Sequence, residues 1–281
     1  AVFETSDVAD VVELVPVSAE ERFSALRAGN YDVLVRNTTW TSSRDGGEGI
    51  AFGHVNFYDS QGMFVRADSE YEEVADMDGT AICVLQGTTT ELNLADYMGE
   101  LGLDYEAVTF EENPQMQEAF LAERCDGWTS DRSQLAGIIS QWPEDEGGPD
   151  AVRLLPDIMS KEPLTPAVLD GDSGWQDVVF WVVNGLILAE ELEVDSGNLE
   201  QMASDPPNAA VASLLGVGFE GGAPLDSGIA LGPDFLQHAL AAVGNYGEIY
   251  DRHLGSQGLG LERDLNALWT DGGLQYAIPI R

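Results

Sequence analysis

Basic residues are the scarcest chemical class in this sequence. Only 12 of its 281 residues are Lys or Arg, against 50 Asp and Glu, and Lys161 is the single lysine. A chain of this length with evenly balanced charges carries roughly 35 basic residues. Because binding to nucleic acid or to an anionic membrane needs clustered Lys and Arg, the composition argues against both classes of partner.

The formal net charge of -38 has two explanations. A dispersed acidic excess with almost no lysine is expected of a protein from a halophile, because a Debye length of ~3 Å at 1 M salt screens the self-repulsion. The alternative is an acidic protein from an ordinary habitat. We expect the first, a protein adapted to high salt.

Cysteine and histidine are also rare, which limits metal chemistry and crosslinking. The two cysteines, Cys83 and Cys125, and three scattered histidines lack the spacing of a zinc site, so neither a metal nor a cofactor is predicted. The cysteines form a disulfide if the chain lies outside the cytoplasm, or remain buried thiols if it does not, and their spacing leaves both open. The longest apolar run, at 178–189, is shorter than the ~20 residues that span a bilayer and predicts a buried helix.

The order of apolar runs predicts two α/β units followed by a helical return. The predicted elements are a strand at 11–17, a helix at 18–30 and a strand at 31–37, then strands at 80–87, 104–110 and 125–131 with a helix after each. Such alternation is typical of parallel sheets. From residue 174 onward the pattern is mainly helical. The layout predicts two lobes joined by two extended crossovers.

Three polar clusters follow predicted strands, at the edge where open α/β sheets bind their ligands. The clusters are RNTTWTSSR at 36–44, QGTTTE at 86–91 and TSD ending at Asp131. Arg44 offers a fork for a carboxylate, the threonines offer hydroxyls and amides at a helix start, and Asp131 offers a partner for an ammonium. Plainer explanations are a surface salt bridge for Arg44 and simple helix caps for the others. Together, however, the clusters form a complete recognition set for an α-amino acid.

The sequence resembles the extracytoplasmic amino-acid-binding proteins of ABC uptake systems, in the general L-amino-acid-binding branch of the family 3 solute-binding proteins. The segments that carry the resemblance are ERFSAL, DVLVRNTTWTSSR, VLQGTTTELNLADY, ERCDGWTSD, KEPLTPAVLDGD, AVGNYGEIYDR and LNALWTDGGLQYAIPIR. The resemblance implies a two-lobed α/β fold of the periplasmic-binding-protein type (type II), in which each lobe is a sheet flanked by helices and a two-segment hinge joins the lobes. The implied division is 1–66 for the first part of lobe one, 67–165 for lobe two and 166–281 for the return to lobe one with the C-terminal helices.

The resemblance also implies a set of ligand-binding residues. In lobe one these are the carboxylate-binding Arg44 and the contact residues Asn37, Thr38 and Thr39. In lobe two they are Leu85, Thr88, Thr89, Thr90 and the ammonium-binding Asp131. Arg36 stands where the family often has a small residue. It either reaches toward an acidic or polar ligand side chain or pairs with a carboxylate of the protein.

The implied function is capture of L-amino acids outside the cell membrane and their delivery to the permease subunits of an ABC transporter. The implied protein is a monomer without catalytic activity, in the periplasm or on the outer face of the membrane. The alternatives are an enzyme of the same fold, of the cyclohexadienyl dehydratase type, and a ligand-sensing domain. Apart from Glu91 at the end of QGTTTE, no His or Glu stands among the three clusters to serve as an acid or base, which argues against the enzyme.

Two further expectations follow from the resemblance. The family has a first strand, a loop and most of a first helix ahead of the point where this chain starts, and AVFETSD resembles the end of that helix. We therefore expect an N-terminally truncated sequence. Cys83 and Cys125 fall on neighbouring strands of lobe two, where a disulfide requires Cα atoms within ~7 Å.

Overall fold

The computed structural model describes residues 11–229 and 231–281, which form two sheets, a two-stranded ribbon and a largely helical C-terminal half. The helices are α1 (Arg22–Arg27), α2 (Ser42–Gly47), α3 (Thr89–Leu101), α4 (Asn113–Leu121), α5 (Arg132–Ser140), α6 (Ser173–Glu191), α7 (Leu199–Ser204), α8 (Ala209–Leu214), α9 (Phe235–Val243) and α10 (Tyr246–His253). The strands are β1 (Val33–Leu34), β2 (Ile50–Phe52), β3 (Phe57–Asp59), β4 (Gln61–Arg66), β5 (Thr80–Leu85), β6 (Tyr105–Phe110), β7 (Gly127–Asp131), β8 (Val152–Leu154), β9 (Glu162–Leu164) and β10 (Ala167–Leu169).

The second lobe is built on a five-stranded mixed sheet in the order β6-β5-β7-β4-β8. Strand β5 pairs in parallel with β6 and β7, as the alternating strands and helices predict. Strands β4 and β8 extend the sheet by antiparallel pairing. The carboxyl ends of β5 and β7 therefore lie at one edge, where α3 and α5 begin.

Aromatic side chains and a disulfide hold one face of this sheet. Phe64, Phe120, Trp128 and Trp142 are buried and pack in tilted or edge-to-face pairs, with ring centroids 5.2 to 6.3 Å apart. A disulfide joins Cys83 to Cys125 in the same cluster, with a Cα–Cα distance of 5.6 Å. The pairing resolves the alternative that the cysteine spacing left open, and a disulfide is typical of proteins outside the cytoplasm.

The first lobe contains a three-stranded sheet in the order β1-β10-β2. Both pairings are antiparallel, so the predicted parallel arrangement is wrong for this sheet. The reason is that β10 comes from the returning chain and enters between the two earlier strands. Phe23 and Leu26 of α1 pack on this sheet, in a buried cluster that includes Phe52 of β2.

The strand predicted at 11–17 is also wrong. Residues 12–17 have no regular secondary structure, and Leu14 is 88% exposed. No strand of the described ranges pairs with this segment, and β-branched residues favour a strand only where a neighbour and a packing surface exist. The predicted helix end at AVFETSD lies outside the described residues.

The returning chain completes the first lobe with α6 to α10. Helix α6 contains the apolar run at 178–189 and packs against α8, α9 and α10. Residues 235–253 form two helices, α9 and α10, because Gly244 has a φ of 77° and Asn245 begins α10 with a capping box. Within the described part of the chain, no helix combines the length and apolarity that a bilayer crossing requires.

The two lobes are connected by β3 and β9, which pair with each other as an antiparallel ribbon. The side chain of Asn266 braces the outer edge of β3: it accepts from the Tyr58 amide at 2.7 Å and donates to the Tyr58 carbonyl at 3.0 Å. The predicted boundary at residue 66 needs correction, because β4 belongs to the second-lobe sheet. We propose that the second lobe covers 61–160 and that β3 and β9 form the hinge.

Candidate functional site

A small cavity of about 20 Å³ lies between the lobes, where the three polar clusters meet. Seven predicted site residues line it: Arg36, Asn37, Leu85, Thr88, Thr89, Thr90 and Asp131. Ala19, Arg22, Ser130 and Gln134 complete the lining. Three predicted residues, Thr38, Thr39 and Arg44, are buried close by but do not line the cavity. The volume holds about one water molecule, so an amino acid enters only when the lobes separate.

Asp131 ends β7 and is 3% exposed. It occupies the N-cap position of α5 but makes no capping hydrogen bond with its side chain, so the plainer explanation of this residue does not apply. Its carboxylate instead accepts a hydrogen bond from the Asn37 side chain in the first lobe. Burial, followed by the nearby Asp59 carboxylate, raises the pKa of Asp131 to about 7, while the bond from Asn37 acts in the opposite direction.

Arg44 lies in α2, whose N-cap Thr41 accepts a hydrogen bond from the Arg44 amide at 3.3 Å. The guanidinium donates to the Thr39 carbonyl at 3.0 Å and lies 5.2 Å from the Phe23 ring centroid. Burial lowers the pKa of Arg44, although nearby carboxylates, chiefly Glu162, oppose that change. Its side chain is buried and forms none of the ion pairs found among the described residues, so it is not the surface salt bridge of the plainer explanation.

The threonine cluster combines a structural and a potential binding role. Thr88 caps α3 by accepting from the Glu91 amide at 3.1 Å, and its own hydroxyl donates to the Leu85 carbonyl at 2.6 Å. Thr89 instead faces the first lobe, where its hydroxyl lies 3.3 Å from that of Thr39. The plainer explanation, a simple helix cap, is correct for Thr88. The capped start of α3 lies at the cavity.

Glu162 on β9 joins both lobes and was missed by sequence reasoning. The carboxylate is 1% exposed and accepts from Asn93 at 2.7 Å and Thr89 at 3.1 Å, both in the second lobe. It also accepts from Thr39 in the first lobe and from Ser160 next to the hinge. The segment KEPLTPAVLDGD contains this residue, but nothing in its pattern indicates a buried, fully hydrogen-bonded carboxylate.

Two more arginines reach the cavity. Arg36 donates a hydrogen bond to the Val17 carbonyl, and the ion pairs of the described residues do not include the predicted pairing of Arg36 with a protein carboxylate. Arg22, in the first turn of α1, was not predicted at all. It is 2% exposed, and helix patterning gave no signal because a charged residue beside Phe23 resembles the solvent-facing part of an amphipathic helix.

Known proteins with similar sequences and structures decide the family. The General L-amino acid-binding periplasmic protein AapJ of Rhizobium johnstonii is 43% identical over 271 residues, which cover 96% of this chain and 77% of that protein. A solved ABC transporter periplasmic binding protein from Brucella ovis, with glutathione bound, is 40% identical with a TM-score of 0.89, over 96% of this chain and 83% of that one. The chain belongs to the periplasmic amino-acid-binding proteins of ABC transporters. No protein-family model matches the chain.

A further member of this amino-acid-binding family is the Glutamate/glutamine/aspartate/asparagine-binding protein BztA of Rhodobacter capsulatus. It is 43% identical over 271 residues, which cover 96% of this chain and 78% of that protein. Membership confirms the predicted family, the two-lobed fold and the extracytoplasmic location of the binding protein. The relatives are binding proteins rather than enzymes.

Proposed function

We propose that this protein binds an L-amino acid between its lobes, closes around it and presents the closed form to an ABC permease, without catalysing a reaction. The observation that carries the proposal is the shared cavity, which brings Asp131 of one lobe to arginines and Asn37 of the other. A ligand that contacts both lobes stabilises the closed form and shifts the population toward it. Turnover of a cyclic carboxylic acid would instead indicate an enzyme.

Each group of the ligand has a counterpart. Asp131 receives the ammonium, and the bond that it now accepts from Asn37 is replaced or shared when the ligand enters. Arg44 receives the carboxylate through two parallel hydrogen bonds, with the α3 start at Thr88 and Thr89 adding donors. Phe23 beneath Arg44 keeps the guanidinium plane in place through a cation–π contact. Once desolvated by closure, the zwitterion is matched charge for charge.

The relatives define the ligands to test first. AapJ and BztA are named as amino-acid-binding proteins, and the Brucella ovis structure has glutathione bound. Free L-amino acids and glutathione are therefore the first ligands to test. Ligand at about 100 times Kd stabilises a protein by ~2.7 kcal/mol. For a chain of this size we expect the melting temperature in high salt to rise by roughly 5 to 10 °C.

The measurement is thermal unfolding with each common L-amino acid, with D-enantiomers as controls. A rise restricted to L-amino acids supports the proposal. No rise with any of them contradicts it.

The raised pKa of Asp131 predicts that affinity depends on pH. The carboxyl of the free protein is protonated below about pH 7, whereas the bound ammonium needs the carboxylate, so binding releases a proton at acid pH. We expect Kd to rise by up to tenfold for each pH unit below about 7 and to be constant just above it. The neighbouring Asp59, Glu162, Asn37 and Arg22 all contribute to this value.

The raised pKa of Asp131 also makes the stability of the unliganded protein depend on pH. Because the folded pKa lies above the unfolded value, this group lowers the free energy of unfolding as pH rises from about 4 to about 7, and contributes no further change above that.

The proton that is released when the ligand binds is measured by calorimetric titration in buffers of different ionisation enthalpy. An affinity that is constant between about pH 5.5 and 8 rules out Asp131 as the ammonium partner with this pKa.

A further inference from the structure

Arg22 is a buried cation whose guanidinium has no hydrogen-bond partner among the described residues. Its side chain lines the cavity between the lobes, and its Nε atom is fully buried without an acceptor. The ion pairs of the described residues involve other arginines, namely Arg27, Arg153 and Arg263, and one histidine. An ionised group buried without a partner costs several kcal/mol, so this arrangement calls for an anion from elsewhere.

The protein's own carboxylates near the cavity are already engaged. Asp131 accepts from Asn37, and Asp59 accepts from the hydroxyl and amide of Ser133. Glu162 accepts four hydrogen bonds from other side chains. Although the chain has 50 acidic residues, none of those described is placed to neutralise Arg22 directly.

Two of the three charged side chains that most affect Arg22 carry the same sign as Arg22 itself. Burial is the main reason that the pKa of Arg22 falls to about 9, and the positive charges of Arg44 and Arg36 lower it further, while Asp131 acts in the opposite direction. The guanidinium carbons of Arg22 and Arg44 lie 4.9 and 5.2 Å from the centroid of the same Phe23 ring. They are therefore at most about 10 Å apart, a separation that two carboxylates of one small ligand can bridge with bidentate contacts.

We propose that Arg22 determines specificity by binding a second carboxylate, the side-chain carboxylate of an acidic L-amino acid. The inference rests on the proposed function, in which Arg44 and Asp131 take the α-carboxylate and the ammonium. Arg36 lines the same part of the cavity and adds positive charge there. A ligand with a neutral side chain leaves Arg22 enclosed without a counter-charge when the lobes close, and is disfavoured for that reason.

The test compares L-glutamate with L-glutamine and L-aspartate with L-asparagine, because each pair differs in charge and hardly in shape. For the unmodified protein we expect each acid to bind at least tenfold more tightly than its amide in calorimetric titration. Arg22→Met is expected to weaken L-glutamate binding by at least thirtyfold while changing L-glutamine affinity less than about threefold, because truncating one partner of a buried charge pair costs ~2 to 5 kcal/mol.

Two further measurements separate this role from a structural one. Arg27→Met, on the same helix but exposed and paired with Glu48, should retain the unmodified preference for acids over amides. Thermal unfolding of Arg22→Met without ligand should occur at an equal or higher temperature, since an unpaired buried charge is removed. A lower melting temperature with equal losses for glutamate and glutamine indicates that Arg22 only supports the fold, and overturns the inference.

The outcomes also distinguish the inference from the proposed function. If the unmodified protein binds glutamate and glutamine equally well, Arg22 does not select for charge, while the amino-acid-binding function stands. If no L-amino acid binds, the proposed function itself fails. A preference for acids that survives in Arg22→Met assigns the selection to another residue and overturns the role of Arg22.

Discussion

Replacing Asp131 with alanine is expected to weaken L-amino acid binding at least a hundredfold. The ligand ammonium then enters a closed site without its counter-charge, and removing one partner of a buried ion pair costs ~3 to 5 kcal/mol. At ~1.4 kcal/mol per decade, that loss is at least two decades in Kd. Arg44→Ala should produce a loss of the same size, because the α-carboxylate is then enclosed without its fork.

Matched controls show whether these losses belong to the site. Asp145 in the second lobe and Arg124 beyond α4 are exposed, and neither lines the cavity. Asp145→Ala and Arg124→Ala should therefore bind within about twofold of the unmodified protein, as expected for exposed surface changes. Calorimetric titration gives Kd for all four variants. Undiminished binding by Asp131→Ala or Arg44→Ala would mean that the ligand lies elsewhere.

Removing the Cys83–Cys125 disulfide is expected to cost on the order of 4 kcal/mol of unfolding free energy. The crosslink closes a loop with a sequence separation of 42 residues, and the chain-entropy relation gives this magnitude for a loop of that length. In a chain of this size the melting temperature should fall by about 10 °C. Alanine is the suitable replacement at both positions, because a serine hydroxyl would be buried in the aromatic cluster without a partner.

The comparison uses the double variant Cys83→Ala/Cys125→Ala and the unmodified protein with and without a reducing agent. Reduction should lower the melting temperature of the unmodified protein only. Ligand affinity should change little, because neither cysteine lines the cavity between the lobes. An equal melting temperature for the oxidised protein and the double variant would show that the bond adds no stability.

The second lobe could be predicted from sequence because its signals are local. Each strand from β5 to β7 is followed by a helix, and β5 pairs with β6 and β7 in the parallel manner that such alternation favours. The first lobe could not, because its central strand β10 arrives more than a hundred residues after β1 and β2. Strand identity there depends on a long-range partner, which the local pattern of 11–17 cannot report.

The same distinction applies to the site. Asn37, Thr88 and Asp131 follow strands whose ends could be predicted, so their convergence at the cavity was foreseeable. Arg22 and Glu162 carry charges at positions where sequence patterns expect solvent. Their burial becomes visible only when the lobes are placed together, since each depends on groups far away in the chain. Hydrophobic periodicity therefore locates the helices and strands, but it does not show which charged side chains are buried between the lobes.

The pairing of β3 with β9 restricts how the lobes can move relative to each other. Backbone hydrogen bonds hold two such strands ~4.8 Å apart, and Asn266 clamps the far edge of β3. Neither crossover can slide past the other without breaking the ladder, so the easiest deformation is a bend of the ribbon as a unit. For the proposed hinge we therefore expect opening by rotation about nearly a single axis, so that every closure restores the same relative orientation of the two lobes. On this expectation, a permease that recognises the closed protein would encounter one docking shape, whichever ligand is carried.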